Sequence, residues 1–267
     1  SPLPPSPPLQ NLNRYHLQLD RVAVFGHSFG AYTALALAGA RINFDQLRQD
    51  CQPGAMLLDL SLLLQCRALE LDPAQVPELK DDRIAALILA DPVGRSLFGP
   101  RELGRIHLPL LWSGAQRDPL TPLVLSQVPA FRWLGSEDKY FAVAEAASHL
   151  HFQRNVGAAI HGQGTAPPLG IQSLQAWIAP PPPALQDYTN ALGLAFLHSY
   201  LLQDDRYRPY LQPGYAQQLS QAPYHLRLLS PAWGDRFSEF HLPNQTSQTD
   251  GSLQPVLSAL EQLPLRP

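Results

Sequence analysis

The sequence is short of charge, short of cysteine and free of long apolar runs, and each shortage excludes something. Only 15% of the residues are charged against 45% hydrophobic, a balance that suits a packed enzyme core rather than a disordered chain. Acidic and basic side chains nearly cancel, leaving a formal charge of −3. That gives no electrostatic footprint for nucleic acid or for an anionic membrane surface. No apolar stretch approaches the roughly 20 residues that a membrane-spanning helix requires. The two cysteines, Cys51 and Cys66, have no His or Cys at metal-ligand spacing, which argues against a zinc site. They either pair across a short loop, as an exported or periplasmic protein allows, or remain two buried thiols in a cytoplasmic one. The chain opens Ser1-Pro2-Leu3-Pro4-Pro5, with neither Met nor a basic-then-apolar leader, so the expectation is that an upstream segment is missing.

Proline, by contrast, is plentiful. Its 28 copies cluster at residues 2–8, 167–168 and 180–183, and such runs favour extended linkers over regular elements. Across 267 residues they divide the chain into a proline-rich lead-in (1–20), a core (21–162) with an insert (41–82), and a proline-rich linker with a helical C-terminal extension (163–267). Within the core, Arg21–Phe25, Ile84–Ala90, Ile106–Ser113 and Lys139–Ala144 read as buried strands. Ala31–Ala40 reads as a slim helix, Leu57–Leu64 as an apolar one, and Pro119–Phe131 as a helix opened by prolines. Asp187–Leu202 and Tyr207–Leu219 supply helices of the extension. Strands alternating with helices predict a mostly parallel α/β sheet.

The chemistry is carried by Gly26-His27-Ser28-Phe29-Gly30. A Gly-x-Ser-x-Gly sequence between a buried strand and a small-residue helix is a nucleophile elbow. The serine sits on a strained turn, and glycine on either side lets backbone pass close by. The Phe29 amide that follows points at the place where an oxyanion would develop, near the positive end of the helix. Such a serine needs a base, and the base needs an acid to hold its tautomer. Asp118 follows the strand 106–113 and His149 follows the strand 139–144, in the order serine, acid, histidine. Both loops open on the same sheet edge as Ser28. Two rivals remain: Asp91, ending the preceding strand, is the alternative acid, and His151 lies two residues from His149. His27 reads as structural.

Taken together, Gly26-His27-Ser28-Phe29-Gly30-Ala31, Ala90-Asp91-Pro92-Val93-Gly94, Asp118-Pro119-Leu120-Thr121-Pro122 and Ser148-His149 resemble a family of cyanobacterial α/β-hydrolases. That family is related to the platelet-activating-factor acetylhydrolase and dienelactone hydrolase groups. The resemblance covers most of residues 20–230. It implies an α/β-hydrolase fold and hydrolysis of a small-molecule or lipid carboxylic ester, acyl or acetyl, or of a lactone. It also implies an acyl-enzyme on Ser28 and no cofactor. Branches of the family place the acid at the position of Asp118 or at that of Asp91. Relatives carry strands before the elbow and take a second oxyanion-hole amide from an early loop, so this chain is expected to lack its N-terminal strands. A peptidase or thioesterase would run on the same three residues, and a non-catalytic binding module would keep only the fold.

Overall fold

A computed structural model describes residues 18–52, 54–152 and 182–231. The lead-in up to residue 17, the prolines at 167–168, the linker and the last part of the extension fall outside the described residues, as do His16, His161 and His241.

Five strands form one sheet whose spatial order is the chain order: β1 (Val22–His27), β2 (Ile84–Ala90), β3 (Leu110–Ala115), β4 (Lys139–Ala144) and β5 (Leu226–Leu229). The first four are parallel and β5 runs antiparallel to β4. The fold is therefore α/β with a mostly parallel sheet, as the alternation of patterns predicts. Side chains alternate across the pleat and feed two cores. Leu87 and Leu89 enter the core shared with α1 (Phe29–Leu37), α2 (Phe44–Asp50), α4 (Arg95–Leu103) and α5 (Val128–Trp133). Ala86 and Ile88 face the opposite core, closed by α6 (Pro183–Tyr200) and α7 (Pro213–Leu219). Helix α6 carries Leu185, Tyr188, Leu192, Ala195 and Phe196 on its buried face, the stripe that its 3.6-residue period provides.

Several elements differ from what the sequence predicts. The third strand runs over Leu110–Ala115 rather than 106–113, because Pro109 has no amide to give to a ladder while Gly114 and Ala115 still pair with Val143 and Ala144. The leucine run 57–64 is not one helix. It breaks into a 3₁₀ turn ending at Leu57 and the single turn α3 (Leu62–Gln65). Asp59 interrupts it, its Oδ1 accepting the amide and hydroxyl of Ser61 at 3.0 and 2.5 Å, a local bond that competes with helix. Leu58, Leu63 and Leu64 are left exposed. The segment 119–131 starts irregularly, passes through a π-helical turn at Leu123–Gln127 and becomes α5. Pro129 lacks the amide that a continuous α-helix would return to Leu125. Strand β1 is only half-buried and Phe25 is 55% exposed, where burial on both faces was expected. Among the described residues it is an edge strand with β2 as its one partner.

The insert is clasped to the rest. Cys51 and Cys66 form a disulfide with Cα atoms 5.7 Å apart, the geometry of an unforced bridge. Beyond it, the Gln65 Oε1 accepts the Leu97 amide at 3.0 Å and the Ser61 amide donates to the Leu120 carbonyl at 3.1 Å. No helix among the described residues is long and apolar enough to cross a membrane.

Candidate active site

The site begins with the turn between β1 and α1. Ser28 has φ 55 and ψ −117, a left-handed backbone that a non-glycine residue adopts only when its surroundings force it. Those surroundings are hydrogen bonds to the end of β2: the Ser28 amide donates to the Ala90 carbonyl at 2.9 Å, and its carbonyl accepts the Val93 amide at 3.3 Å. The two flanking glycines are not equivalent. A Cβ at Gly26 would lie 2.3 Å from the Gly30 carbonyl oxygen and 2.6 Å from the Ala31 amide, whereas one at Gly30 would meet nothing within 4 Å. Only Gly26 is demanded by close approach, which narrows the expectation that both are. Accordingly, Gly26→Ala is expected to cost about 3 kcal/mol or more of stability by overpacking against backbone. Gly30→Ala, in the first turn of α1, is expected to stay within about 1 kcal/mol of wild type. Urea unfolding of the two variants checks this.

The strained turn lifts Ser28 Oγ toward the loop after β4. There the Ser28 hydroxyl donates to His149 Nε2 at 2.8 Å, and His149 Nδ1 donates to Asp118 Oδ2 at 2.6 Å. The structure thus brings together the three residues singled out by motif and strand end. His149 is buried, 2% exposed, in a 3₁₀ turn over His149–Phe152. Asp118 is 4% exposed and is held by four donors. The amides of Leu120 and Thr121 reach its Oδ1 at 2.8 and 2.9 Å, and the Thr121 hydroxyl reaches its Oδ2 at 2.5 Å beside His149. Burial alone would raise the Asp118 pKa. The hydrogen bond and charge of His149, joined by Thr121, outweigh it and hold the carboxyl below its ordinary value, so Asp118 stays ionised.

Asp91, the alternative acid, takes a different part. It lies at the end of β2, wholly buried, with φ 42, a conformation in which Asp is among the less penalised residues. Its Oδ1 accepts the Ala115 amide at 2.7 Å and the Gln127 side-chain amide at 3.1 Å, and its Oδ2 has no hydrogen-bond partner. Burial, and then the charge of Asp118, push its pKa well above the usual carboxylate range. Asp91 is thus the neutral member of the pair, and His149 is bonded to Asp118. His151 also leaves the reacting line: its Nδ1 accepts the Ser148 amide at 3.2 Å and its ring packs edge-on to Tyr224. Phe29 opens α1, so its amide is among the first donors of a helix that have no partner within it.

Two contributors were not legible in the sequence. Gln127, fully buried in the π-helical turn, accepts Trp112 Nε1–H at 3.1 Å and donates through Nε2 to Asp91 Oδ1 and to the Thr121 carbonyl at 2.9 Å. It joins the ends of β2 and β3 beneath the acid loop. Thr121, in the segment Asp118-Pro119-Leu120-Thr121-Pro122, carries no signal of its own in the sequence. A buried glutamine with three partner residues has no linear signature; only the π-turn itself, frequent at functional sites, marks the place.

His27, Asp91 and His149 have potential ligand atoms within 4.8 Å of one another. Those of the histidines are committed elsewhere: both nitrogens of His149 to Ser28 and Asp118, and His27 Nε2 to the His149 carbonyl at 2.9 Å. The two histidines therefore read as members of the hydrogen-bonded line to Ser28 and Asp118 and not as metal ligands. Burial, followed by the proximity of His149, lowers the His27 pKa from 6.5 to about 4. The unfolded chain takes up this proton before the native one does, so stability falls as the pH drops from 6.5 toward about 4 and levels off below. His27→Gln is expected to flatten that slope, measured as the urea midpoint at several pH values across the window.

No family model matches the chain, and no curated protein matches it; geometry and chemistry carry the functional reading.

Proposed function

We propose that this chain is a serine hydrolase acting on carboxylic esters, built on an α/β-hydrolase scaffold and working through an acyl-enzyme on Ser28. One observation carries the reading: an unbroken line of hydrogen bonds from Ser28 Oγ through His149 to a buried, ionised Asp118. In this reading His149 Nε2 takes the Ser28 proton as Oγ attacks the ester carbonyl carbon. Asp118 stabilises the imidazolium that results and fixes the Nδ1–H tautomer beforehand. The Phe29 amide meets the oxyanion. His149 returns the proton to the leaving alkoxide, which departs as an alcohol. Water, deprotonated by the same nitrogen, then attacks the acyl carbon, and Ser28 is released with its proton restored.

The resemblance to cyanobacterial α/β-hydrolases supports an acyl or acetyl ester, or a lactone, as substrate. The exposed leucines of the insert, joined to the acid loop through the Ser61–Leu120 bond, support an apolar acyl group. The Cys51–Cys66 disulfide supports an exported protein, since such bridges persist in oxidising compartments.

The test is a fluorophosphonate probe with peptide mapping, run beside p-nitrophenyl acetate hydrolysis. An adduct on Ser28 and ester turnover are expected. Turnover of peptide anilides but not of esters would replace the ester reading, and absence of any Ser28 adduct on folded protein would end it.

A further inference from the structure

The mechanism above leaves the His27 side chain unused, yet it touches the base loop directly. It is the last residue of β1, held in register opposite Ala90, and it immediately precedes Ser28. Its Nε2 lies 2.9 Å from the His149 main-chain carbonyl. A carbonyl only accepts, so Nε2 carries the hydrogen and donates it. The two imidazole rings pack with centroids 4.8 Å apart at a tilt of 53°.

The loop between β4 and His149 is pinned from its other side. The Glu145 amide donates to the His225 carbonyl, the Ala146 amide to Gln116 Oε1, and the Arg117 amide to the Ala147 carbonyl. Ser148 turns its amide back to His151. Those anchors stop short of His149, whose carbonyl is tied to the strand that carries the nucleophile.

We propose that His27 is a positioning residue of this hydrolase: by donating Nε2–H to the His149 carbonyl, it sets the distance between the base and Ser28. The inference rests on the functional reading above. Neutral His27 also suits the site electrostatically, because a second imidazolium there would oppose the positive charge that His149 acquires in the transition state. Its depressed pKa keeps it uncharged across the neutral range.

The experiment compares His27→Ala and His27→Gln in the full chain, with near-ultraviolet circular dichroism to verify folding. Steady-state kinetics on p-nitrophenyl acetate is read together with the far-downfield proton resonance of the His149 Nδ1–H···Asp118 bond. Removing the donor lets the imidazole drift, and misplacement of about an ångström is expected to lower kcat roughly 10- to 100-fold with KM nearly unchanged. Glutamine, whose amide can donate from a similar reach, is expected to recover most of that loss. The downfield resonance should broaden or vanish in the alanine variant and persist in the glutamine one.

A folded alanine variant with wild-type kcat and an intact resonance would overturn the proposal, as would a glutamine variant no better than alanine by both readouts. If the wild-type protein neither hydrolyses esters nor labels at Ser28, the functional reading fails. The resonance then still decides whether His27 holds His149 in place.

Discussion

Ser28→Ala and His149→Ala are each expected to lower kcat on a p-nitrophenyl ester by several orders of magnitude, up to about a million-fold, and the double variant is expected to be no slower than either. The reason is that the two side chains act through one proton. Without the hydroxyl there is nothing for His149 Nε2 to deprotonate at 2.8 Å; without the imidazole the hydroxyl stays protonated and weakly nucleophilic. Whatever rate survives belongs to oxyanion stabilisation and substrate binding, which neither substitution removes. Fluorophosphonate labelling should disappear with Ser28→Ala and become very slow with His149→Ala. Losses that simply multiplied in the double variant would show that the two residues act independently.

The second large effect separates the two carboxyl groups. Asp118→Asn is expected to reduce kcat by about 10⁴-fold, because an amide at that place both fails to stabilise the imidazolium and favours the wrong tautomer of His149. Asp91→Asn is expected to remain within roughly ten-fold of wild type, since Asp91 Oδ1 only accepts from Ala115 and Gln127 and an asparagine oxygen does the same. The Asn variant should also be the more stable protein near neutral pH. A carboxyl whose native pKa is raised above its unfolded value must take up a proton on folding, so its contribution is lost as pH rises past the unfolded pKa. Asparagine avoids that cost, tolerates the positive φ of this position, and keeps a donor where the neutral acid carries its Oδ2 hydroxyl. Kinetics and urea melts of both variants at pH 7 make the comparison. A large rate loss confined to Asp91→Asn would transfer the acid role to the end of β2.

Much of the site was legible in the sequence because each of its reacting residues follows a strand that announces itself. Val22–His27 and Lys139–Ala144 are short β-rich runs bounded by turn residues, and parallel strands place the residues that follow them at one edge. Strand order and spacing favour Asp118 as the acid, while the family resemblance leaves Asp91 open. Both follow a strand and both are buried, and what separates them is their partners: Asp91 accepts from Gln127 while Asp118 is met by the imidazole. Helix α4 has no clear signal in the sequence, since Gly99-Pro100 in its middle reads as a turn. The chain does bend there, with Gly99 at φ 64, yet it remains helical on both sides. Strand β5 is hidden in a loop-rich stretch because four residues, Leu226–Leu229, leave no period to detect. The leucines of the insert misled in the opposite sense: apolar content without regular spacing promised a helix that Asp59 and Ser61 break up.

The coincidence of spatial and chain order in the sheet has a consequence for biosynthesis. As the polypeptide leaves the ribosome, each parallel strand finds its neighbour already in place, so the sheet can be laid down in the direction of translation. In the proposed mechanism the nucleophilic hydroxyl is made before its general base, which follows 121 residues later. During that interval the nascent chain displays a serine without the His149 imidazole, chemically no more reactive than any other. Hydrolytic power would thus arrive in one step, when the loop after the fourth strand closes over the first.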